Sequence, residues 1–348
     1  MEKQNKKIYP GLDVGKFLCA FLILFYHYFS EHGPLPGLLN EVLSLYAVAV
    51  ALFMTISGFL IFDKLSGVKE TKERWKIVKH QVVRIYSIYL IWSIPYLIFT
   101  ISRWDYNSIS WSFILDKVQG WVFNSTFYTI WFMPMLAIGL VLTFWLTEKL
   151  PSFFVTFLAV IMYIIGSLML TYSFIGKQIP YFGGFTEFAA RWLGGPRGWL
   201  FFAFPLLLLG RAMVDRKNKV KALPMAVGTV FFLGCMFIEA LFLRKFVGHT
   251  GIDLTIFMIP TVFCILGFLI TIKLPYGKYA KWMRNMSVLI FMSQRLFLTV
   301  FPELFPSIFL YINSNKYFGA IVITTLTVGL SQSIISISKK LNIAKKLF

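Results

Sequence analysis

Charged residues are scarce in this sequence of 348 residues, and acidic ones are the scarcest, with 15 Asp and Glu against 34 Lys and Arg. Only 14% of the residues are charged, whereas soluble domains carry roughly 25%. Hydrophobic residues make up 58%, and the mean hydropathy is +0.72. A soluble core of this size cannot bury so much apolar surface. The composition therefore excludes a soluble fold, a disordered chain and a DNA-binding domain, and predicts a polytopic membrane protein.

Cysteine is also rare, and this excludes two further classes. Cys19, Cys235 and Cys264 all lie inside apolar runs, where cysteine behaves as a small hydrophobic residue. They do not form a Cys-x-x-Cys pair or a Cys/His cluster. We therefore expect neither a disulfide scaffold nor a metal site.

What the sequence has in abundance is long apolar runs, and about 20 such residues cross a bilayer as a helix. Ten runs are candidates: 12–30, 44–62, 84–102, 128–147, 153–172, 198–213, 223–243, 253–272, 285–302 and 317–337. The first run carries Asp13 and Lys16 and has no small-residue cleavage site, so we expect a retained span rather than a signal peptide. The sequence predicts an all-α protein with about ten transmembrane helices in a single domain, 1–348.

The basic residues predict the orientation of these spans. If the N-terminus is cytoplasmic, 24 of the Lys and Arg residues fall in inner segments and eight in outer ones, and Lys16 and Arg295 lie within spans. Positive charge marks the cytoplasmic side, so we predict that both termini are cytoplasmic. The basic excess then faces anionic lipids of a cell membrane. Membrane lipids are expected partners, and no nucleic acid is needed.

Two outer connections, 103–127 and 173–197, are rich in aromatic residues. Such residues are typical of an interfacial aromatic belt. A platform for a sugar or another outer-face substrate is the alternative.

The first predicted span contains three ionisable residues, Asp13, Lys16 and His27. At about 100° per residue, all three share one face of a helix, and His27 lies about 16 Å beyond Lys16. We expect Asp13 and Lys16 to contact each other as an (i, i+3) pair. A buried histidine either transfers protons or is simply hydrogen-bonded within the bundle. The stripe predicts the wall of a polar cavity.

Other polar positions in the spans are weaker candidates. Ser57 and Gly58, followed by Phe59, permit close backbone approach, but ordinary small-residue packing explains them equally well. Ser57 lacks the Gly-x-Ser-x-Gly context of a nucleophile. Arg84, at the cytoplasmic edge of the third span, either binds a phosphate or extends toward lipid headgroups.

Arg295 lies well inside the ninth predicted span, and a cation at that depth is expected to face a cavity and find a partner. Glu239, near the outer end of the seventh span, is one possible partner. Trp131, near the outer face, is either a belt residue or a wall of the substrate site.

Several of these residues occur in motifs that resemble those of the membrane acyltransferase-3 family. Residues 12–16 with His27 resemble the family opening L-D-x-x-R followed by an apolar stretch that ends in histidine. The other matching elements are 52–60 (F-F-x-x-S-G-F-L), Arg84 (the second arginine of R-x-x-R), Trp131-Phe132 (W-F) and 285–294 (S-Y-x-x-Y-x-x-H). Lys16, Gln81 and Gln294 stand where the family has arginine, arginine and histidine. The segment 197–210 also resembles the membrane domain of membrane-bound serine racemases.

The resemblance implies a single transmembrane acyltransferase domain that carries an acyl group, such as acetyl, from acyl-CoA to a cell-envelope glycan or lipid-linked acceptor. Acyl-CoA would be a co-substrate, with no bound cofactor. It implies catalytic roles for His27, Asp13 and Lys16, with His27 as general base, and oxyanion stabilisation by Lys16 or Arg295. The residues expected to bind substrate are Ser57, Gly58, Phe59, Arg84, Trp131 and Arg295.

A small-molecule transporter is the alternative function, since a charged stripe through a bilayer also suits a substrate pathway. The resemblance to serine racemases makes a small amino acid a conceivable cargo. No inverted repeat supports this alternative. A membrane scaffold is a third option, for which buried Asp13, Lys16 and Arg295 give little reason.

Overall fold

The computed structural model describes residues 8–106, 109–127, 129–248, 253–275 and 277–340, which are helical or in turns and contain no strand. The predicted cytoplasmic ends, 1–7 and 341–348, lie outside these residues. The first helices are α1 (Pro10–His32), α2 (Leu38–Leu43), α3 (Ala47–Ser66), α4 (Thr71–Ile101), α5 (Trp111–Phe123), α6 (Phe132–Lys149), α7 (Ser152–Met169), α8 (Ser173–Gly176) and α9 (Phe182–Trp192). The remaining helices are α10 (Phe204–Arg216), α11 (Ala222–Phe242), α12 (Met258–Thr271), α13 (Lys278–Arg295), α14 (Phe301–Leu304), α15 (Pro306–Ile312) and α16 (Lys316–Lys340).

Eight helical segments in the described part of the chain are long and apolar enough to cross a membrane. They are Pro10–His32, Leu38–Ser66, Thr71–Ile101, Phe132–Lys149, Ser152–Met169, Ala222–Val247, Lys278–Leu304 and Lys316–Lys340. The all-helical prediction is confirmed, whereas ten spans with cytoplasmic ends remain a prediction.

The two predicted spans outside this set are built differently. The sixth begins as a π-helical turn, Trp199–Ala203, which continues into α10. The eighth is α12, which has 14 residues and is therefore only about 21 Å long. Helix α12 is shorter than the roughly 20 residues that a bilayer requires, and α10 has only 13 residues beyond its π-helical turn.

The chain before α12 is irregular yet buried, with Asp253, Leu254 and Thr255 in the interior. Irregular backbone is tolerated at membrane depth only where other groups satisfy its polar atoms. Here the Thr171 hydroxyl accepts from the Leu254 N–H at 3.2 Å, and the Tyr163 hydroxyl donates to the Thr255 carbonyl at 2.7 Å. These bonds satisfy backbone polar groups of the segment and help to hold it, with Asp253, inside the bundle.

Helix α3 forms the centre of the bundle, and most of its residues are buried. It packs on α10 at two glycines: a Cβ on Gly58 would lie 2.5 Å from the Leu207 carbonyl oxygen, and one on Gly210 would lie 2.2 Å from that of Thr55. Small residues allow such close packing of membrane helices. Helix α1 packs against α3, α12 and α13, which brings its polar face to residues from late in the sequence.

Candidate functional site

A cluster of cations surrounds one carboxylate at one end of the α1–α13 contact. The predicted orientation places this end on the cytoplasmic side, so it is called the inner half of the contact and the other the outer half. The Arg284 guanidinium donates to both oxygens of Asp13, from Nε to Oδ1 at 2.9 Å and from Nη2 to Oδ2 at 3.0 Å. Lys16, the (i, i+3) neighbour of Asp13, lies within electrostatic range of this carboxylate, while Arg284 forms the ion pair with it. The two-pronged guanidinium matches a carboxylate better than an ammonium group does.

Two more cations complete this inner cluster. Lys16 lies within electrostatic range of Arg284 and Arg84, and Arg84 is exposed at the start of the apolar part of α4. Among the described residues, the cluster thus holds three positive charges and one negative charge, that of Asp13. Such an excess suits an anionic ligand.

His27 occupies the outer half of the same contact, and its Nδ1 lies 3.2 Å from Oε1 of Gln294. The Gln294 amide nitrogen donates to the Phe291 carbonyl oxygen at 3.1 Å, and this second bond assigns the orientation of the amide. Because Oε1 only accepts, Nδ1 carries the proton of a neutral ring. Nε2 is then the nitrogen that has the lone pair.

Arg295, next along α13, is only 2% exposed. Its Nη1 donates to both oxygens of Glu31, at 2.6 and 2.8 Å. The proposed partner Glu239 is therefore wrong: its carboxylate accepts from Tyr172 and from the Ile256 and Phe257 N–H groups. Glu31 is the nearer carboxylate because it follows His27 by one helical turn on α1.

An aromatic pair and a second ion pair surround His27. Tyr46 stacks on Tyr26 with ring centroids 3.4 Å apart, and its ring lies 6.2 Å from that of His27. The Tyr46 hydroxyl donates to Asp253 at 3.3 Å, and Asp253 also pairs with Arg197. Burial opposes the charge on Arg197, but Asp253 outweighs it and raises the pKa of Arg197 above its ordinary value. Arg197 therefore stays cationic.

The remaining predicted residues have packing contacts. The Ser57 hydroxyl donates to the Phe53 carbonyl oxygen at 2.7 Å, and Gly58 lies against α10. Phe59 is fully buried, edge-on to Tyr9. The Trp131 ring is half-buried near Phe132 and Phe202.

Sequence reasoning missed Arg284, Glu31, Tyr46, Asp253 and Arg197. One signal was available for Glu31, which follows His27 by four residues and therefore shares its helix face. Arg284 lies among basic residues that are typical of an inner loop, so the sequence gives no signal that its side chain faces α1. Asp253 lies in irregular backbone, where periodicity gives no guide.

Comparison with known proteins identifies the protein family. The family model for an acyltransferase domain matches residues 9–334, and the chain belongs to the acyltransferase-3 family. Together with the eight apolar helices, this makes it a multi-pass membrane protein.

Individual relatives are bacterial, which points to the plasma membrane. An amino-acid racemase of Enterococcus faecalis is 24% identical over 97% of this chain and 47% of its own length. A serine/alanine racemase of Enterococcus gallinarum is 23% identical over 92% of this chain and 45% of its own length. The chain thus spans about half the length of these curated relatives. No solved structure matches it.

Proposed function

We propose that this chain is a single-domain membrane O-acyltransferase with cytoplasmic termini. It moves an acyl group, such as acetyl, from acyl-CoA to a hydroxyl of a cell-envelope glycan or lipid-linked acceptor. Membership of the acyltransferase-3 family supports acyl transfer in general. The observation that carries the assignment of roles is the bond between His27 Nδ1 and Gln294 Oε1. It leaves Nε2 as a lone-pair nitrogen suited to general-base work.

The two ends of the α1–α13 contact suit the two ends of acyl-CoA, namely its phosphates and its thioester. We assign the phosphates of acyl-CoA to the inner cluster of Lys16, Arg84 and Arg284, since guanidinium groups bind phosphate well. Lys16 and His27 are about 16 Å apart along α1, too far to act on one carbonyl. Arg295, within electrostatic range of His27, is the better group for stabilising an oxyanion. Asp13 acts by holding Arg284.

The chemical step then balances as follows. His27 Nε2 takes the proton of the acceptor hydroxyl as its oxygen attacks the thioester carbonyl carbon. The C–O bond forms and negative charge develops on the carbonyl oxygen, where Arg295 stabilises it. The C–S bond then breaks, and the CoA thiolate takes the proton from His27. Ser57, Gly58, Phe59 and Trp131 remain proposed contacts of the acyl chain and acceptor.

The test compares His27→Ala with His80→Ala in vesicles supplied with radiolabelled acetyl-CoA and an envelope extract. His80 is an exposed histidine on α4 and serves as the matched control. We expect His27→Ala to lower the rate of label transfer by about 10²- to 10⁴-fold, the usual contribution of a general base, while His80→Ala stays within about twofold. Equal rates for wild type and His27→Ala would remove His27 from catalysis.

Amino-acid transport is the second candidate, and one observation favours it: two relatives carry the names amino-acid racemase and serine/alanine racemase. A polar face along α1, from Asp13 to Glu31, also suits a pathway. The measurement is uptake of radiolabelled L-serine into protein-containing vesicles without acyl-CoA. Accumulation of unmodified serine favours transport, whereas covalent labelling of the extract favours acyl transfer.

A further inference from the structure

Helices α5 and α9 border an open surface cleft on the predicted outer side of the protein. Its volume is about 310 Å³, and its lining consists of Asp116, Gln119, Gly120, Asn124 and Arg191. Binding sites for small molecules have volumes of about 300–1,000 Å³. The cleft is therefore large enough for a compact ligand unit, and no role has yet been given to its residues.

The lining offers both donors and acceptors. Arg191 Nη2 donates to Asp116 Oδ1 at 2.9 Å, so a cation and an anion balance each other. The Gln119 and Asn124 amides donate to backbone carbonyl oxygens at 3.4 and 3.5 Å, near the long limit of a hydrogen bond. Such bonds are readily exchanged for bonds to a ligand. Sugar hydroxyls, which donate and accept at once, match this set, whereas Asp116 would repel a phosphate.

Two aromatic residues, Phe123 and Trp192, directly adjoin the cleft residues Asn124 and Arg191 in sequence. The Phe123 and Trp192 rings meet edge to face with centroids 6.0 Å apart, and Trp192 is 41% exposed. An exposed indole face presents apolar surface next to polar side chains. The C–H face of a sugar ring fits against such a surface while its hydroxyls reach the amides.

The opposite face of α5 indicates at what level of the membrane the cleft lies. Trp111, Leu115, Val118 and Val122 recur at helical spacing and are 45–80% exposed. An apolar stripe on an outer helix is typical of one that lies in the membrane interface. The polar face of α5, which lines the cleft, then lies at the level of lipid headgroups, where a free glycan and a lipid-linked sugar both have access.

The chain that follows each wall of the cleft leads toward residues of the His27 site. After α9, Gly194 and Gly195 turn the chain at positive φ of 76° and 67° toward Arg197, which pairs with Asp253. After α5, Phe127 stacks on Tyr96 at 4.7 Å. The Tyr96 hydroxyl donates to the Met292 carbonyl oxygen at 2.5 Å, two residues before Gln294.

We propose that the α5–α9 cleft is a binding subsite for a neutral sugar, presented either as a free glycan or as a lipid headgroup. The assignment of that sugar as the acyl acceptor rests on the proposed function. Binding itself does not, and can therefore be tested separately.

Gly120 provides the variant for this test, because a Cβ added there meets nothing within 4 Å. Gly120→Leu should therefore fill the cleft without disturbing the backbone. Gly183 on α9 is equally open and lies outside the lining, so Gly183→Leu is the matched control. Both substitutions replace a helical glycine, and thermal unfolding of each protein checks that folding is preserved.

Two probes distinguish the sources of the sugar. The full-length protein in nanodiscs is mixed with radiolabelled N-acetylglucosamine tetrasaccharide, or is assembled with radiolabelled monoglucosyl diacylglycerol. We expect saturable binding of at least one probe, weakened tenfold or more in Gly120→Leu and within twofold of wild type in Gly183→Leu. Binding of the tetrasaccharide indicates a free glycan, and retention of the glycolipid indicates a lipid headgroup. Binding of neither probe, or undiminished binding by Gly120→Leu, overturns the proposal.

Kinetics separates this proposal from the proposed function. With acetyl-CoA as donor, Gly120→Leu should raise the KM for the acceptor tenfold or more and leave the KM for acetyl-CoA unchanged. If His27→Ala abolishes transfer while Gly120→Leu has wild-type kinetics and binding, the cleft proposal fails and the proposed function stands. If the probes bind but the wild-type protein transfers no label from acetyl-CoA, the proposed function fails and the sugar site stands.

Discussion

The inner and outer halves of the α1–α13 contact use similar residues in opposite ways. Within the part of the chain that the structure describes, the inner half holds Lys16, Arg84 and Arg284 around one carboxylate, Asp13, so positive charge is in excess there. In the outer half, Arg295 pairs with Glu31 and Arg197 with Asp253, so the charges around His27 cancel. An unbalanced cluster attracts an anion, whereas a balanced one fixes the positions of side chains in a site of low dielectric.

The largest effect on stability should come from removing one member of an ion pair in the outer half. Glu31→Ala removes the carboxylate partner of Arg295, which is 2% exposed. Loss of one member of a buried ion pair costs about 3–5 kcal/mol. Since Glu31 itself is 34% exposed, we expect about 3 kcal/mol from denaturant titration in detergent.

The control is Glu303→Ala, which breaks the exposed Arg103–Glu303 pair. Exposed pairs contribute about 0–1 kcal/mol, so its free energy of unfolding should change little. Equal losses in the two variants would contradict the distinction between a buried and an exposed pair.

A smaller effect, confined to catalysis, is expected from Gln294→Leu. Leucine fills a similar volume but cannot accept from His27 Nδ1, so the imidazole loses its fixed orientation. Misplacement of a catalytic group by about 1 Å costs about 10²-fold, and we expect kcat to fall by that factor with KM unchanged. Gln294→Glu, which keeps an acceptor oxygen, should recover most of the rate.

Gln332→Leu is the matched control, since it removes an amide that accepts from Trp282 on another membrane helix. Its kcat should equal that of wild type. A loss of rate in Gln332→Leu as large as that in Gln294→Leu would mean that the amide at 294 is structural.

The smallest effect should come from the inner half. Arg284→Lys keeps the charge but loses the two-pronged bond to Asp13 and to a phosphate. We expect a rise of about tenfold in the KM for acetyl-CoA, equivalent to about 1.4 kcal/mol, with kcat unchanged. Arg216→Lys, an exposed arginine at the end of α10, should behave as wild type. A fall in kcat would assign Arg284 to the chemical step instead.

Sequence alone predicted the elements that depend on local patterns. Apolar runs predicted the helices, and a period of 3.6 residues put Asp13 and His27 on one face of α1. The sequence did not predict the ion-pair partners of the α1 carboxylates. The Asp13–Arg284 and Glu31–Arg295 pairs join residues that are 271 and 264 positions apart. Glu239 illustrates the limit: its depth suggested a partner for Arg295, but it accepts the N–H groups of the irregular chain before α12.

These separations have a consequence for biogenesis. Helix α1 is synthesised before α13, so Asp13 and Glu31 lie on a face whose cationic partners, Arg284 and Arg295, are not yet made. At 5–20 residues per second, α13 follows roughly 15–50 s later. Throughout that interval the insertion machinery has to shelter a charged helix from lipid, so α1 enters its final place only as a late event in assembly.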